Sequence, residues 1–335
     1  MVNILVTLRD EQYGDILDEE SFAKLCELGK VVSESKLPRD EEEPFLDALK
    51  RHQAEVVVTC WGSPKLTLKV YQANPQLKYM CHAAGTVRPY VDRECIEAGL
   101  RVTNWGTTIA RSVAEGALMM ILSSLRRTTL IEMELHVRKG WRPRGRLEAE
   151  GLFHQRVGLV GLGAIAQELV KLLEPFDCEV SAYSPHCPDD VFEQLGVTRV
   201  ATLAELFRRN RIISVHASNV PTNHHIINAG VLACLRDGGV LVNTSRGAVI
   251  NTKDLIAELR KKRLWAALDV FEEEPLPQDS PLRGMENCQL IPHMAGPTAD
   301  RRVDMGKLAV ENIGCYVRGE ELLFPVTAEK YDLIT

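Results

Sequence analysis

The buried-type run Val157-Gly158-Leu159-Val160 leads directly into Gly161-Leu162-Gly163-Ala164-Ile165-Ala166, and helical spacing follows from Gln167 to Leu173. No other stretch restricts the fold as much. A strand, a glycine turn and a helix in that order form the opening half of a parallel crossover, which demands a sheet covered by helices. The first glycine permits the tight turn and the second lets backbone approach a pyrophosphate. The small third residue allows the helix to lie close on the strand.

Around this unit, short apolar runs alternate with helical patterns over nearly the whole chain. Strands are predicted at 4–7, 30–33, 56–59, 77–82 and 100–104, with helices near 18–28, 41–52, 65–73 and 89–98. A single long helix is expected from Ile109 through Arg138, because Val113, Ala117, Met120, Ile121 and Leu125 recur at helical spacing and no proline intervenes. Six more strands follow at 156–160, 179–183, 212–216, 240–243, 266–269 and 288–291, and a last helix from Thr298 to about Arg318. The predicted class is α/β with two doubly wound parallel-sheet domains. A Rossmann nucleotide-binding domain at 105–294 is inserted into a flavodoxin-like domain made of 1–104 and 295–335.

At 335 residues the chain exceeds what one core usually organises. A net charge of -6 argues against a nucleic-acid partner, and no apolar run approaches the ~20 residues of a membrane span. The nine cysteines include no C-x-x-C pair, so reduced thiols and a cytoplasmic location are expected. His224-His225 shows no third metal ligand nearby and reads as a helix-entry loop, so no metal is expected.

Three polar side chains follow successive strands. Arg246 lies in Asn243-Thr244-Ser245-Arg246-Gly247, Glu274 in Asp269-Val270-Phe271-Glu272-Glu273-Glu274-Pro275, and His293 in Ile291-Pro292-His293-Met294-Ala295-Gly296. Singly, each has an ordinary reading as a cap, a solvated acid or a loop histidine. Together they supply a carboxylate-binding cation, a proton donor and a group that sets the donor's tautomer, the set that reduction of a 2-oxo acid requires.

These segments, with Gly158-Leu159-Val160-Gly161-Leu162-Gly163, Val215-His216, Pro221-Thr222-Asn223-His224-His225-Ile226-Ile227-Asn228 and Ala114-Glu115-Gly116-Ala117, resemble the D-isomer-specific 2-hydroxyacid dehydrogenases. The likeness covers most of the chain and is weakest before residue 75. It implies that Arg246 binds the substrate carboxylate and carbonyl, that His293 is the acid/base and that Glu274 hydrogen-bonds it. It also implies cofactor contacts at Gly161, Gly163, Ala164, Ile165, Ser184, His216, Thr244, Ser245, Asp269 and Ala295. For Asp269 a cap on the following loop stays open as an alternative. Substrate contacts are implied at Ala84, Gly85 and Thr86. Glu274 stands where the family's formate dehydrogenases carry glutamine.

The expected ligands are NAD, with NADP possible, and a small 2-oxo or 2-hydroxy acid. Ser184 occupies the position where an acid usually holds the adenosine ribose, and the next basic side chain in sequence is Arg199. Discrimination between the cofactors should therefore be modest, with NADH somewhat favoured. Thr59-Cys60-Trp61-Gly62-Ser63 contains no arginine, which speaks against a phosphorylated substrate. The resemblance implies a homodimer through the 108–139 helix region. Trp141 would then meet the partner, beside the basic loop of Arg138, Lys139, Arg142, Arg144 and Arg146. Two other readings remain: an NADP-preferring glyoxylate/hydroxypyruvate reductase, and a corepressor-like protein that senses dinucleotide.

Overall fold

A computed structural model describes residues 1–142 and 149–332; Arg144 and Arg146 of the basic loop lie outside the described residues. The chain forms two compact units, one of Met1–Ile109 with Pro297–Thr335 and the other of Ala110–Gly296.

The first unit is built on strands β1 (Val2–Val6), β2 (Gly29–Ser33), β3 (Val56–Thr59), β4 (Tyr79–His82) and β5 (Arg101–Thr103). They pair in the order β2-β1-β3-β4-β5, all parallel. Every residue of β3 and β4 is buried, as expected of parallel strands covered on both faces. The helix Arg302–Arg318 belongs to this unit, and its Ala309 carbonyl receives the Cys81 thiol of β4.

The second unit carries β6 (Arg156–Val160), β7 (Glu179–Tyr183), β8 (Thr198–Arg199), β9 (Ile212–Val215), β10 (Gly239–Asn243), β11 (Leu264–Leu268) and β12 (Cys288–Leu290). The order β12-β11-β10-β9-β6-β7-β8 is the doubly wound one, with the direction of winding reversing between β6 and β9. The sheet has seven strands where the sequence pattern predicts six. The extra one, β8, is only two residues long and exposed, so it carries no apolar signature.

The long helix expected over 109–138 is broken. A helix runs from Ala110 to Arg126, Arg127 adopts a left-handed conformation (φ +59°), and a short helix (Thr128–Glu132) and a π-helical turn (Met133–Val137) follow. Arg127 is 3% exposed, and its guanidinium lies 4.1 Å from the centre of the Trp265 ring. It also donates to the Ser124 carbonyl at 2.8 Å and pairs with Glu150 at 3.2 Å. A desolvated cation–π contact contributes about 2 kcal/mol, enough to offset the ~1–2 kcal/mol of a left-handed residue. Apolar periodicity cannot register this, because the break serves a buried charge.

All nine cysteines are free, and burial pushes Cys60, Cys95 and Cys288 up to about 12. Among the described residues no helix is long and apolar enough to cross a membrane.

Candidate active site

The glycine turn follows β6 at the point where the sheet reverses. Gly161 has φ +92°, and a side chain there would meet the His216 carbonyl at 2.9 Å. The turn is tied down by Gly161 N–H donating to the Tyr183 carbonyl at 2.8 Å, while the His216 N–H donates to that of Val160 at 2.8 Å. The helix Ala164–Leu173 begins at Gly163, so the N–H groups of Ala164 and Ile165 belong to its first, unpaired turn. Nothing lies within 4 Å of the Cβ position at Gly163, so the turn faces open space. The His216 ring bonds Ser214 Oγ at 2.8 Å and burial lowers its pKa to about 4, leaving it uncharged at neutral pH.

Ser184 lies just past β7. The sequence gap to Arg199 misleads here, because β7 and β8 pair with Ala182 opposite Arg199. The Arg199 guanidinium donates to the Ser184 carbonyl at 3.2 Å and to that of Cys187 at 2.5 Å. It also pairs with Asp189 at 2.8 Å and lies over the Phe192 ring at 4.0 Å. Arg199, fifteen positions on in sequence, is thus brought beside the Ser184 backbone by a strand too short to be legible.

Past β10, Asn243 organises the turn that presents Arg246. Its side-chain carbonyl accepts from Ser245 N–H at 3.0 Å and Ser245 Oγ at 2.9 Å, and its amide donates to the Arg246 carbonyl at 3.0 Å. Sequence reasoning missed this role; a polar residue closing a fully buried strand was the available signal. Arg246 is half-buried and donates to the Ser245 carbonyl at 2.6 Å. Thr244 is buried, and its Oγ1 has no hydrogen-bond partner among the described residues. Gly247 packs so closely that a Cβ would stand 1.9 Å from the Phe271 carbonyl carbon, fixing the Arg246 loop against the loop of Glu274.

The remaining two residues meet. His293 Nδ1 and Glu274 Oε2 are 2.7 Å apart, and Glu274 Oε1 accepts from Phe271 N–H at 2.9 Å. The His293 ring keeps 48% of its surface exposed, so its other nitrogen stays open to a ligand. His293 has φ +54°, a strained setting for a side-chain-bearing residue. Asp269, 2% exposed, holds that turn: its carbonyl accepts from His293 N–H at 2.8 Å, and its carboxylate from Met294 N–H at 2.7 Å and Ala295 N–H at 2.9 Å. Hydrogen bonds to a charged group contribute about 1.5–3 kcal/mol each, sufficient to hold the strained turn. Burial raises the Asp269 pKa, against the lowering by the Ala295 and Met294 N–H groups. The Asp269 carboxylate thus bonds the distant turn at 293–295 and not the loop that follows it in sequence.

Ala84, Gly85 and Thr86 belong to the first unit, in the loop after β4. Asn104 donates to the Gly85 carbonyl at 2.8 Å and Trp105 N–H to that of Ala84 at 3.1 Å. The loop at 59–63, which has no arginine of its own, receives one from the end of β1: Arg9 donates to the Gly62 carbonyl at 3.0 Å. His224-His225 likewise gains a third polar neighbour, Glu272, which the sequence did not reveal.

The second unit thus offers a glycine turn on open space, an orphaned buried hydroxyl at Thr244 and a carboxylate-held histidine, all after the carboxyl ends of parallel strands. That arrangement fits a dinucleotide. Residues 118–295 match the model of the D-isomer specific 2-hydroxyacid dehydrogenase NAD binding domain. The chain is 32% identical over 96% of its length to a D-3-phosphoglycerate dehydrogenase of Methanocaldococcus jannaschii, spanning 58% of that protein. It is 31% identical to a glyoxylate reductase of Thermofilum pendens, over 87% of this chain and 86% of the relative. Among solved structures, the NADPH-dependent glyoxylate/hydroxypyruvate reductase of Sinorhizobium meliloti superposes with a TM-score of 0.78 at 26% identity, over 98% of each chain. With this fold, these strand-end residues and these relatives, the chain belongs to the D-isomer-specific 2-hydroxyacid dehydrogenase family.

Proposed function

We propose that the protein reduces a small 2-oxo acid to its D-2-hydroxy acid, with Arg246, His293 and Glu274 acting on the substrate. The observation that carries this reading is the 2.7 Å contact between His293 Nδ1 and Glu274. A carboxylate at Nδ1 keeps the proton on that nitrogen and fixes the orientation of the ring. His293 Nε2 then donates to the carbonyl oxygen as it gains charge, and takes the proton back in oxidation. Arg246 binds the carboxylate through its planar fork and draws charge toward the carbonyl oxygen. Gly161, Gly163, Ala164 and Ile165 hold the pyrophosphate. Thr244, Ser245, His216, Ala295 and Asp269 surround the nicotinamide side, and Asp269 also keeps the His293 turn in place. When bound, the reduced nicotinamide supplies the hydride.

NADH and NADPH both serve in this reading, with Ser184 bonding the ribose and Arg199 making a 2′-phosphate tolerable. A homodimer through the 108–139 region is supported by exposed apolar side chains at Met119, Val137 and Trp141. A cytoplasmic location is supported by nine free thiols.

The test is NADH and NADPH oxidation with glyoxylate, hydroxypyruvate, a larger branched 2-oxo acid and a phosphorylated one. Turnover with one or more of the unphosphorylated acids is expected. No turnover with any member, despite cofactor binding, would overturn the reading. Preference for the phosphorylated acid would assign Arg9 a substrate role.

A further inference from the structure

We propose that His224, His225 and Glu272 form a site for a divalent transition-metal ion of the zinc type, clasping the loop at 221–226 to the loop that carries Glu274. The three side chains come from segments 47 residues apart, yet each offers a ligand atom within 4.8 Å of the others. The histidine rings lie side by side with centroids 3.8 Å apart, and His225 Nε2 already bonds Glu272 Oε1. Ligands on a tetrahedral zinc at about 2.0–2.1 Å stand roughly 3.4 Å from one another, so small side-chain movements bring all three onto one ion. Two imidazoles and a carboxylate suit zinc, cobalt or nickel, and solvent completes the fourth position at this exposed place. The ion takes the place of the Nε2 proton between His225 and Glu272, and that proton moves to Nδ1, so the ring binds as neutral imidazole.

The backbone around the cluster is braced for such a role. His225 sits in the left-handed region (φ +53°), and its N–H donates to the Ala248 carbonyl at 2.9 Å. Asn251 Nδ2 reaches His225 Nδ1 at 3.3 Å, and this long contact yields when Nε2 binds the ion and Nδ1 carries the proton. Glu272 Oε2 accepts from Thr252 N–H at 2.8 Å, anchoring the carboxylate at the start of helix Thr252–Arg260. The second oxygen keeps that anchor while the first binds metal. Among the described residues this is the one such grouping of histidine, cysteine and acidic side chains.

The test uses the full chain, stripped with a chelator and titrated with cobalt(II) chloride and, separately, zinc chloride. We expect about one equivalent bound, a visible cobalt band, and a melting temperature raised by about 5 °C at saturating zinc. Glu272→Gln, which retains an acceptor for Thr252, and His224→Gln should each weaken binding by at least about tenfold. In the unmutated protein, zinc should slow diethyl pyrocarbonate modification of His224 and His225 together. Absence of stoichiometric binding up to about 1 mM metal, or binding that both substitutions leave unchanged while the two histidines stay equally reactive, would overturn the proposal.

Discussion

At the scale of single residues, His293 is the side chain on which the proposed chemistry depends. Its left-handed backbone is held by Asp269 and its ring by Glu274, so the geometry is preset before any ligand arrives. His293→Ala should lower kcat for reduction by at least about 100-fold, the scale of general acid catalysis. Cofactor affinity, read by NADH fluorescence titration, should change little. Turnover close to that of the unmutated enzyme would remove His293 from the mechanism. The three residues were legible in sequence because each follows a recognisable strand. The supports, Asn243 and the carboxylate of Asp269, were not, because they act on backbone groups that only the folded turn brings near.

At the scale of elements, the two-residue strand β8 sets what stands beside Ser184. Pairing with β7 puts Arg199 against the Ser184 carbonyl, fifteen positions away in the chain. Desolvating a 2′-phosphate without a cation is costly, so the proposed use of NADPH depends on Arg199. Arg199→Gln should lower kcat/KM with NADPH about tenfold more than with NADH, and Ser184→Asp should enforce NADH through repulsion of the phosphate. Because Arg199 also packs on Phe192, the ratio of the two cofactors is the quantity to measure; an unchanged ratio in Arg199→Gln would leave it a structural residue. The broken helix makes the same point from the other side. Its apolar stripe was read correctly from Ala110 to Arg126, but the left-handed turn at Arg127 answers to Trp265 and Glu150, distant in sequence.

At the scale of the whole molecule, subunit association and acid stability can be tested. If the 108–139 region pairs two copies, Val137→Asp combined with Trp141→Glu should turn a dimer into a monomer in light scattering; these side chains are 69% and 79% exposed in the single chain. An unchanged dimer would place the interface elsewhere. His82, 1% exposed at the end of β4, bonds Thr59 Oγ1 at 2.9 Å, and burial lowers its pKa to about 3. Below its unfolded value of about 6.5 the unfolded chain takes up this proton and the folded one does not, so stability falls as pH drops from 6.5 toward 3. Between pH 6.5 and 5 this amounts to about 2 kcal/mol. His82→Asn should remove that portion of the acid slope in denaturant titrations at several pH values, and an identical slope would show the ring to be protonated when folded. The sequence by itself determined the two parallel sheets, the glycine turn and the strand-end placement of Arg246, Glu274 and His293. Those follow from apolar period and chain order, which are local properties. Only the tertiary structure decided where the helix breaks, that Arg199 stands beside Ser184, that Arg9 reaches Gly62, and that Glu272 joins His224 and His225. Each of these is a polar side chain finding a partner far along the chain, and such pairings leave no mark on local periodicity.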